Sequence, residues 1–163
     1  MSTPITAQLE DGQRVYRLVS HRRTITETDI VSFVNLVGLH EPPFIDMDWV
    51  ADNMPGEHAR RFAPAPLLIS LGMGLVATRI MQVVESMQFE EGLGAFHGMV
   101  GVQARVMAPV FPGDTLQVQL AGRVDRRTSQ GQTLVDLEHT MFNQASDRVM
   151  VFTEKLLFDP AGQ

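Results

Sequence analysis

The sequence predicts an α+β fold in which an antiparallel sheet wraps around one long apolar helix, and three observations carry that reading. From Leu67 to about Val84 the chain is apolar almost all round, which belongs in a core or between subunits. After Gly92 the pattern changes to a period of two, over residues 99–107, 116–124, 134–142 and 149–158. Only one short strand and a helical region precede the apolar helix. Long consecutive stretches with period-two patterning argue for an antiparallel meander with one covered face. The economical packing buries that face against the helix, as layer rules demand. With 163 residues and 18.1 kDa, the chain is expected to form a single domain over residues 1–163.

In chain order, residues 1–14 read as a polar lead-in and residues 15–24 as a short strand ending in His21-Arg22-Arg23. A helix follows. Thr26 is placed to cap it, and Asp29, three residues on, can reach back to complete a capping box, although Glu is preferred there. Ile30, Phe33, Val34 and Val37 line one helical face, and Gly38 is a stop. Pro42 and Pro43 prevent the helix from continuing. Residues 46–52, which contain Trp49, suit another short helical turn, and residues 54–61 form a polar connection with Pro55-Gly56. Pro66 fits the first turn of the apolar helix. Gly72 and Gly74 in its interior imply a close approach, for example by the inner face of a sheet. Phe111-Pro112-Gly113-Asp114 and Ser129-Gln130-Gly131 are turns between strands.

Composition excludes several classes. Thirteen Lys and Arg against nineteen Asp and Glu give a net charge of −6, which argues against a nucleic-acid partner. The basic pairs Arg22-Arg23, Arg60-Arg61 and Arg126-Arg127 are short. With no cysteine, disulfides, thiolate nucleophiles and cysteine-held metals are excluded. The N-terminal residues lack a basic stretch followed by an apolar run, so no secretory signal is expected. The apolar stretch from residue 63 to 77 is short for a membrane span, so a cytoplasmic protein without a membrane partner is expected. Asp46, Asp48 and Glu41 lie close together but lack a ligand pattern, so neither a metal nor a cofactor is expected.

Two segments carry a resemblance. Arg23-Thr24-Ile25-Thr26-Glu27-Thr28-Asp29-Ile30, continuing through Phe33 and Asn35 to Gly38, resembles the opening of the MaoC-like dehydratases, also called R-specific enoyl-CoA hydratases. The run from Val106 to Leu116, with Ala108-Pro109-Val110-Phe111-Pro112-Gly113-Asp114-Thr115-Leu116, resembles their strand–turn segment. The resemblance covers roughly residues 15–158 and implies a hot-dog fold. It also implies a homodimer or higher homo-oligomer joined edge to edge, with an acyl-CoA or acyl-carrier-protein thioester held near the interface. The reaction it implies is hydration of an enoyl thioester, or dehydration of the 3-hydroxy compound.

The family's catalytic run Gly-Asp-x-Asn-Pro-x-His corresponds here to Gly38-Leu39-His40-Glu41-Pro42-Pro43-Phe44. Leu39 and Phe44 replace the acid and the histidine, and neither can move a proton. The family's Ala-His-Gly-Met-like helix start corresponds to Ala63-Pro64-Ala65-Pro66-Leu67-Leu68, where the prolines have no N–H to offer. N–H donors of Leu67 or Leu68 remain candidates for holding the thioester oxygen. Glu41 as base and His40 as proton donor or substrate contact are the candidate catalytic pair; the alternative is a solvated loop in a member that lost the activity. His97 is a further catalytic candidate, or a strand-edge packing residue. Phe44 would line a narrower, drier pocket. Arg60 and Arg61, with His58, would meet CoA phosphates, or form a plain surface loop. Glu138 and His139 are read as cross-strand surface residues. Thioester hydrolysis through Glu41 remains open, and so does a non-catalytic acyl-binding subunit paired with a catalytic paralogue.

Overall fold

The structure is a computed structural model that describes residues 5–56 and 59–160. Strands β1 (Thr6–Glu10) and β2 (Gln13–Val19) form a hairpin, and β3 (Arg23–Thr24) follows. Three helices come next: α1 (Glu27–Val37), α2 (Pro42–Ile45) and α3 (Met47–Asn53). The long helix α4 (Ala65–Glu91) precedes β4 (Phe96–Val106), β5 (Thr115–Arg127), β6 (Thr133–Phe142) and β7 (Arg148–Phe158). The antiparallel sheet has the order β1-β2-β5-β6-β7-β4, with β3 pairing to β5 at its side. Residues read as a lead-in therefore include a strand. The Asp11-Gly12 turn, with φ of 51° and 79°, has the two positive values a tight hairpin needs.

Helix α1 starts and stops as its sequence implies. Thr26 and Asp29 form the reciprocal capping box, and Gly38 closes the helix in the left-handed conformation at φ 70°. Ile30 and Val34 are buried, while Val37 stays exposed. Asp46 caps α3 by accepting from the Trp49 N–H. The two prolines that end α1's run also open α2, because the first turn of a helix needs no N–H from them.

Helix α4 lies across the inner face of the sheet. Its buried Leu68, Gly72, Val76, Val83 and Met87 recur at helical spacing. They meet inward residues of β2, β5, β6 and β7, among them Tyr16, Leu120, Leu137, Met141 and Phe152, in one core. Gly72 is where the close approach occurs: a Cβ there would lie 2.5 Å from Cε1 of Phe152. Nothing lies within 4 Å of a Cβ at Gly74, so that glycine serves no close approach. Although apolar nearly all round, α4 is not buried all round. Met81 and Phe89 are exposed.

The meander is β5, β6 and β7; β4 is not next to β5 but lies beyond β7 at the edge. A period of two marks a strand and its faces but says nothing about which strand is its neighbour. On β4, Phe96, Met99, Val100, Val102 and Val106 are exposed. The register with β7 slips twice, between Phe96 and Gly98 and between Met99 and Gly101, and runs regularly from Val102 to Val106.

Candidate functional site

A cavity of about 540 Å³ opens at the N-terminus of α4. Phe44, Met54 and Phe62 form one side, Ala65 and Leu68 the helix side, and Val106, Met107, Pro109 and Phe111 the other. Local chemistry sets each wall. Pro64, extended at φ −66° and ψ 147°, caps α4, with Ala65 and Pro66 in the first turn. The Ala63 N–H donates to the Val110 carbonyl at 2.8 Å, tying the helix start to the opposite wall. That wall is a turn in which the Phe111 N–H donates to Asp114 Oδ2 at 2.8 Å and Gly113 has φ 97°. The turn is anchored to the segment before α1 by Ile25 N–H to Asp114 O and Gly113 N–H to Ile25 O, both 2.8 Å.

Phe44 packs edge to face on Phe62, with centroids 5.4 Å apart at 61°. Arg61 donates to the Phe44 carbonyl and pairs with the Glu27 carboxylate, so it straps α2 to the start of α1. The Arg60 guanidinium lies 3.8 Å over the ring of Phe111, a residue of the cavity wall. The Leu67 and Leu68 N–H groups both donate to the Pro64 carbonyl, at 3.0 and 3.3 Å. Neither is left for a ligand. Ala65 N–H, one residue into the helix, has no partner among the described residues and belongs to the cavity lining.

Among the described residues, none of those lining this cavity is ionisable. His40 and Glu41 are exposed on the α1–α2 connection, outside the lining, where Glu41 supplies the backbone cap of α2. His97 is exposed at the opposite end of β4, its Nδ1 3.7 Å from Asp159 Oδ1. It is nine residues from Val106, roughly 30 Å along an extended strand. The structure thus brings Phe44 and Leu68 together, sets Arg60 and Arg61 around them, keeps Leu67 in the core, and leaves His40, Glu41 and His97 apart from them. His58 lies outside the described residues. Among the described residues no group of three or more His, Asp or Glu is placed to hold a metal ion.

One pair departs from its sequence reading. His139 is not a surface residue: it is fully buried, stacked on Phe152 at 4.2 Å, with Nε2 2.8 Å from Oε1 of buried Glu154. Glu138 does face outward, 3.5 Å from Arg123. The signal was available, because His139 alternates in step with Leu137 and Met141, and Glu154 with Phe152 and Leu156. The Ala65 N–H was also missed, since attention to the prolines led past it to Leu67 and Leu68.

No protein-family model matches the chain. It is 34% identical over 134 residues to Protein MaoC of Klebsiella aerogenes, covering 82% of this chain and 35% of that protein. The chain thus spans about a third of the length of that curated relative. The MaoC-like dehydratase from Rhodospirillum rubrum superposes with a TM-score of 0.64 at 18% identity, over 90% of this chain and 92% of that one. The HadBC (3R-hydroxyacyl-ACP dehydratase) complex from Mycobacterium tuberculosis gives 0.63 at 18% identity, over 96% and 99%. The fold of this chain is the hot-dog fold, and its sequence resembles MaoC.

Proposed function

We propose that this hot-dog chain, similar to MaoC, is an acyl-thioester hydratase/dehydratase unit acting on enoyl-CoA or 3-hydroxyacyl-CoA type substrates. One observation carries the reading: an apolar cavity at a helix N-terminus, lined by Ala65, whose N–H has no partner among the described residues. An acyl chain fills the apolar space. The thioester carbonyl faces Ala65, whose N–H and helix dipole favour the negative charge that develops on that oxygen. In hydration, the water oxygen bonds to C3, its proton leaves to a base, and a proton is added at C2. Glu41 is the proposed base and His40 the proposed proton donor, although both are exposed on the α1–α2 connection outside the cavity lining, so the reaction requires that connection to move towards the cavity. Arg60 is the proposed contact for the phosphates of CoA, since Arg61 is engaged by Phe44 and Glu27. His97 has no part in this chemistry.

The apolar character of the described lining favours a second reading, in which the chain holds the acyl group and a related subunit supplies the acid and base. In either case residues 1–163 are read as one cytoplasmic hot-dog domain that pairs through β4.

The test is incubation of the purified chain with trans-2-enoyl-CoA substrates of short, medium and aromatic acyl groups, with products followed by mass spectrometry. A product heavier by one water with its thioester intact is the expected result. Intact substrate throughout, with saturable acyl-CoA binding, overturns the hydratase reading for the isolated chain and leaves the acyl-holding one. Free CoA with a carboxylic acid overturns both.

A further inference from the structure

A cleft of about 310 Å³ lies on the outer face of the sheet, over β4 and the start of β7. Across the ladder Gln103 faces Thr153 and Arg105 faces Val151, while Phe152 between them turns into the core. Alternation therefore puts Gln103, Arg105, Val151 and Thr153 on one surface. Arg148, the first residue of β7, joins the lining, as does Met107. The cleft thus presents two guanidiniums, an amide and a hydroxyl, and no carboxylate among the described residues.

Carboxylates outnumber Lys and Arg in this chain by nineteen to thirteen. Other cations of the sheet are held by them: Arg17 pairs with Glu10 at 2.8 Å, Arg123 with Glu138 at 3.5 Å, and Lys155 with Asp125 and Asp136 at 2.6 and 2.8 Å. Arg105 and Arg148 have neither an ion pair nor a hydrogen bond among the described residues. Asp147, next to Arg148 in sequence, accepts from Asn143 Nδ2 at 3.4 Å instead and lies outside the lining. Two guanidiniums facing one cleft repel each other until an anion lies between them.

We propose that this cleft is an anion site for a phosphate monoester, held between Arg105 and Arg148, with Gln103 and Thr153 donating to its remaining oxygens. A carboxylate satisfies one guanidinium through two parallel bonds, whereas a tetrahedral dianion offers oxygens to two and neutralises both. Two copies joined edge to edge through β4 extend the sheet in its own plane and leave this face open. Met107 lines both this cleft and the first cavity, so a phosphorylated molecule leaving that cavity meets the arginines across one side chain. Two sources carry the group: the CoA of a bound thioester, an assignment that rests on the function proposed above, and a separate phosphorylated metabolite. The chemistry of the site is the same for both.

The experiment titrates the isotope-labelled full chain with glycerol 2-phosphate and separately with dimethyl phosphate, which carries a single charge, and reads the side-chain nitrogen resonances. Those of Arg105, Arg148 and Gln103 are expected to shift saturably with the monoester at neutral pH, with an affinity at least about tenfold above that of the diester. Below about pH 6 the monoester loses its second charge while the guanidiniums keep theirs, so its affinity is expected to fall toward the diester's. Arg105→Gln/Arg148→Gln is expected to abolish the Gln103 shift. Arg22→Gln/Arg127→Gln, which removes the same charge from two exposed arginines outside the cleft, is expected to leave it. CoA against dephospho-CoA then assigns the source. Tighter binding of CoA through the two arginines names the thioester's own carrier, and equal binding of the two, with glycerol 2-phosphate still held, names a separate molecule; both uphold the site. No turnover is read, so failure of the hydratase reading leaves the result intact. The proposal is overturned by the absence of saturable shifts at the two arginines or by equal affinity for the two phosphates. An equal loss in the Arg22/Arg127 control, which means an adventitious ion only, overturns it too. The comparison of phosphates on the unmodified chain decides the matter even where a variant fails to fold.

Discussion

Gly72 and Gly74 stand two residues apart on α4 and meet opposite surroundings. A Cβ at Gly72 would collide with the Phe152 ring, and one at Gly74 would meet nothing within 4 Å. Alanine gains about 1 kcal/mol of helix propensity over glycine at either position. At Gly72 overpacking of about 1–3 kcal/mol opposes that gain. Gly74→Ala is therefore expected to raise the melting temperature and Gly72→Ala to lower it, each by roughly 2–4 °C per net kcal/mol for a chain of this size. Thermal unfolding of the two variants checks this; shifts of the same sign contradict it. Tyr16, the one tyrosine, is fully buried and donates to Glu91 at 3.0 Å. Burial pushes its hydroxyl up to about 12, with Glu91 and Glu90 adding to the rise against Arg14. The unfolded chain ionises at about 10, so its contribution to stability is complete below that pH and is lost as the pH climbs through the folded value. Ultraviolet titration of the folded protein should show phenolate forming near the higher value. A midpoint near the lower one would remove this claim.

Among the elements, α1 was legible because its signals are local: Thr26, Asp29 and Gly38 each act on their own backbone neighbours. Helix α4 was legible in kind, from its apolar run, but its exposed Met81 and Phe89 were not, because apolarity all round does not tell which side meets the sheet. Its first turn was half legible. The prolines announced missing donors, yet which N–H survives depends on the Pro64 carbonyl taking those of Leu67 and Leu68. That leaves a direct test of the helix end. Ala65→Pro removes one N–H where proline is at home, and the extended Pro64 before it is already in the conformation proline requires. Enoyl-CoA hydration is expected to fall about 100- to 1000-fold in kcat, with the melting temperature nearly unchanged. Steady-state kinetics showing an unaltered kcat would take Ala65 out of the mechanism.

For the whole molecule, the sheet-around-helix plan followed from two periodicities, while the placement of β4 did not, because long-range pairing leaves no mark on a strand's own alternation. That placement bears on the proposed assembly. An edge strand with exposed Val102 and Val106, regular in register, offers a second copy both hydrogen-bonding groups and apolar contact. Val102→Lys with Val106→Lys is expected to convert a dimer into a monomer in sedimentation velocity; an unmodified chain that sediments as a monomer would refute pairing through β4. The buried His139–Glu154 pair was written in the alternation of β6 and β7, but two polar residues in phase with a core outweighed the pattern in reading it. Arg61 carries one more consequence. A single guanidinium holds the Phe44 carbonyl and the Glu27 carboxylate, and it sits two residues before Ala63, itself bonded to Val110. The segments roofing the first cavity thus share one latch, and a shared latch makes their opening a single cooperative event. Amide exchange across that roof is therefore expected at one common rate, and separate rates for its segments in hydrogen–deuterium exchange would refute the shared latch.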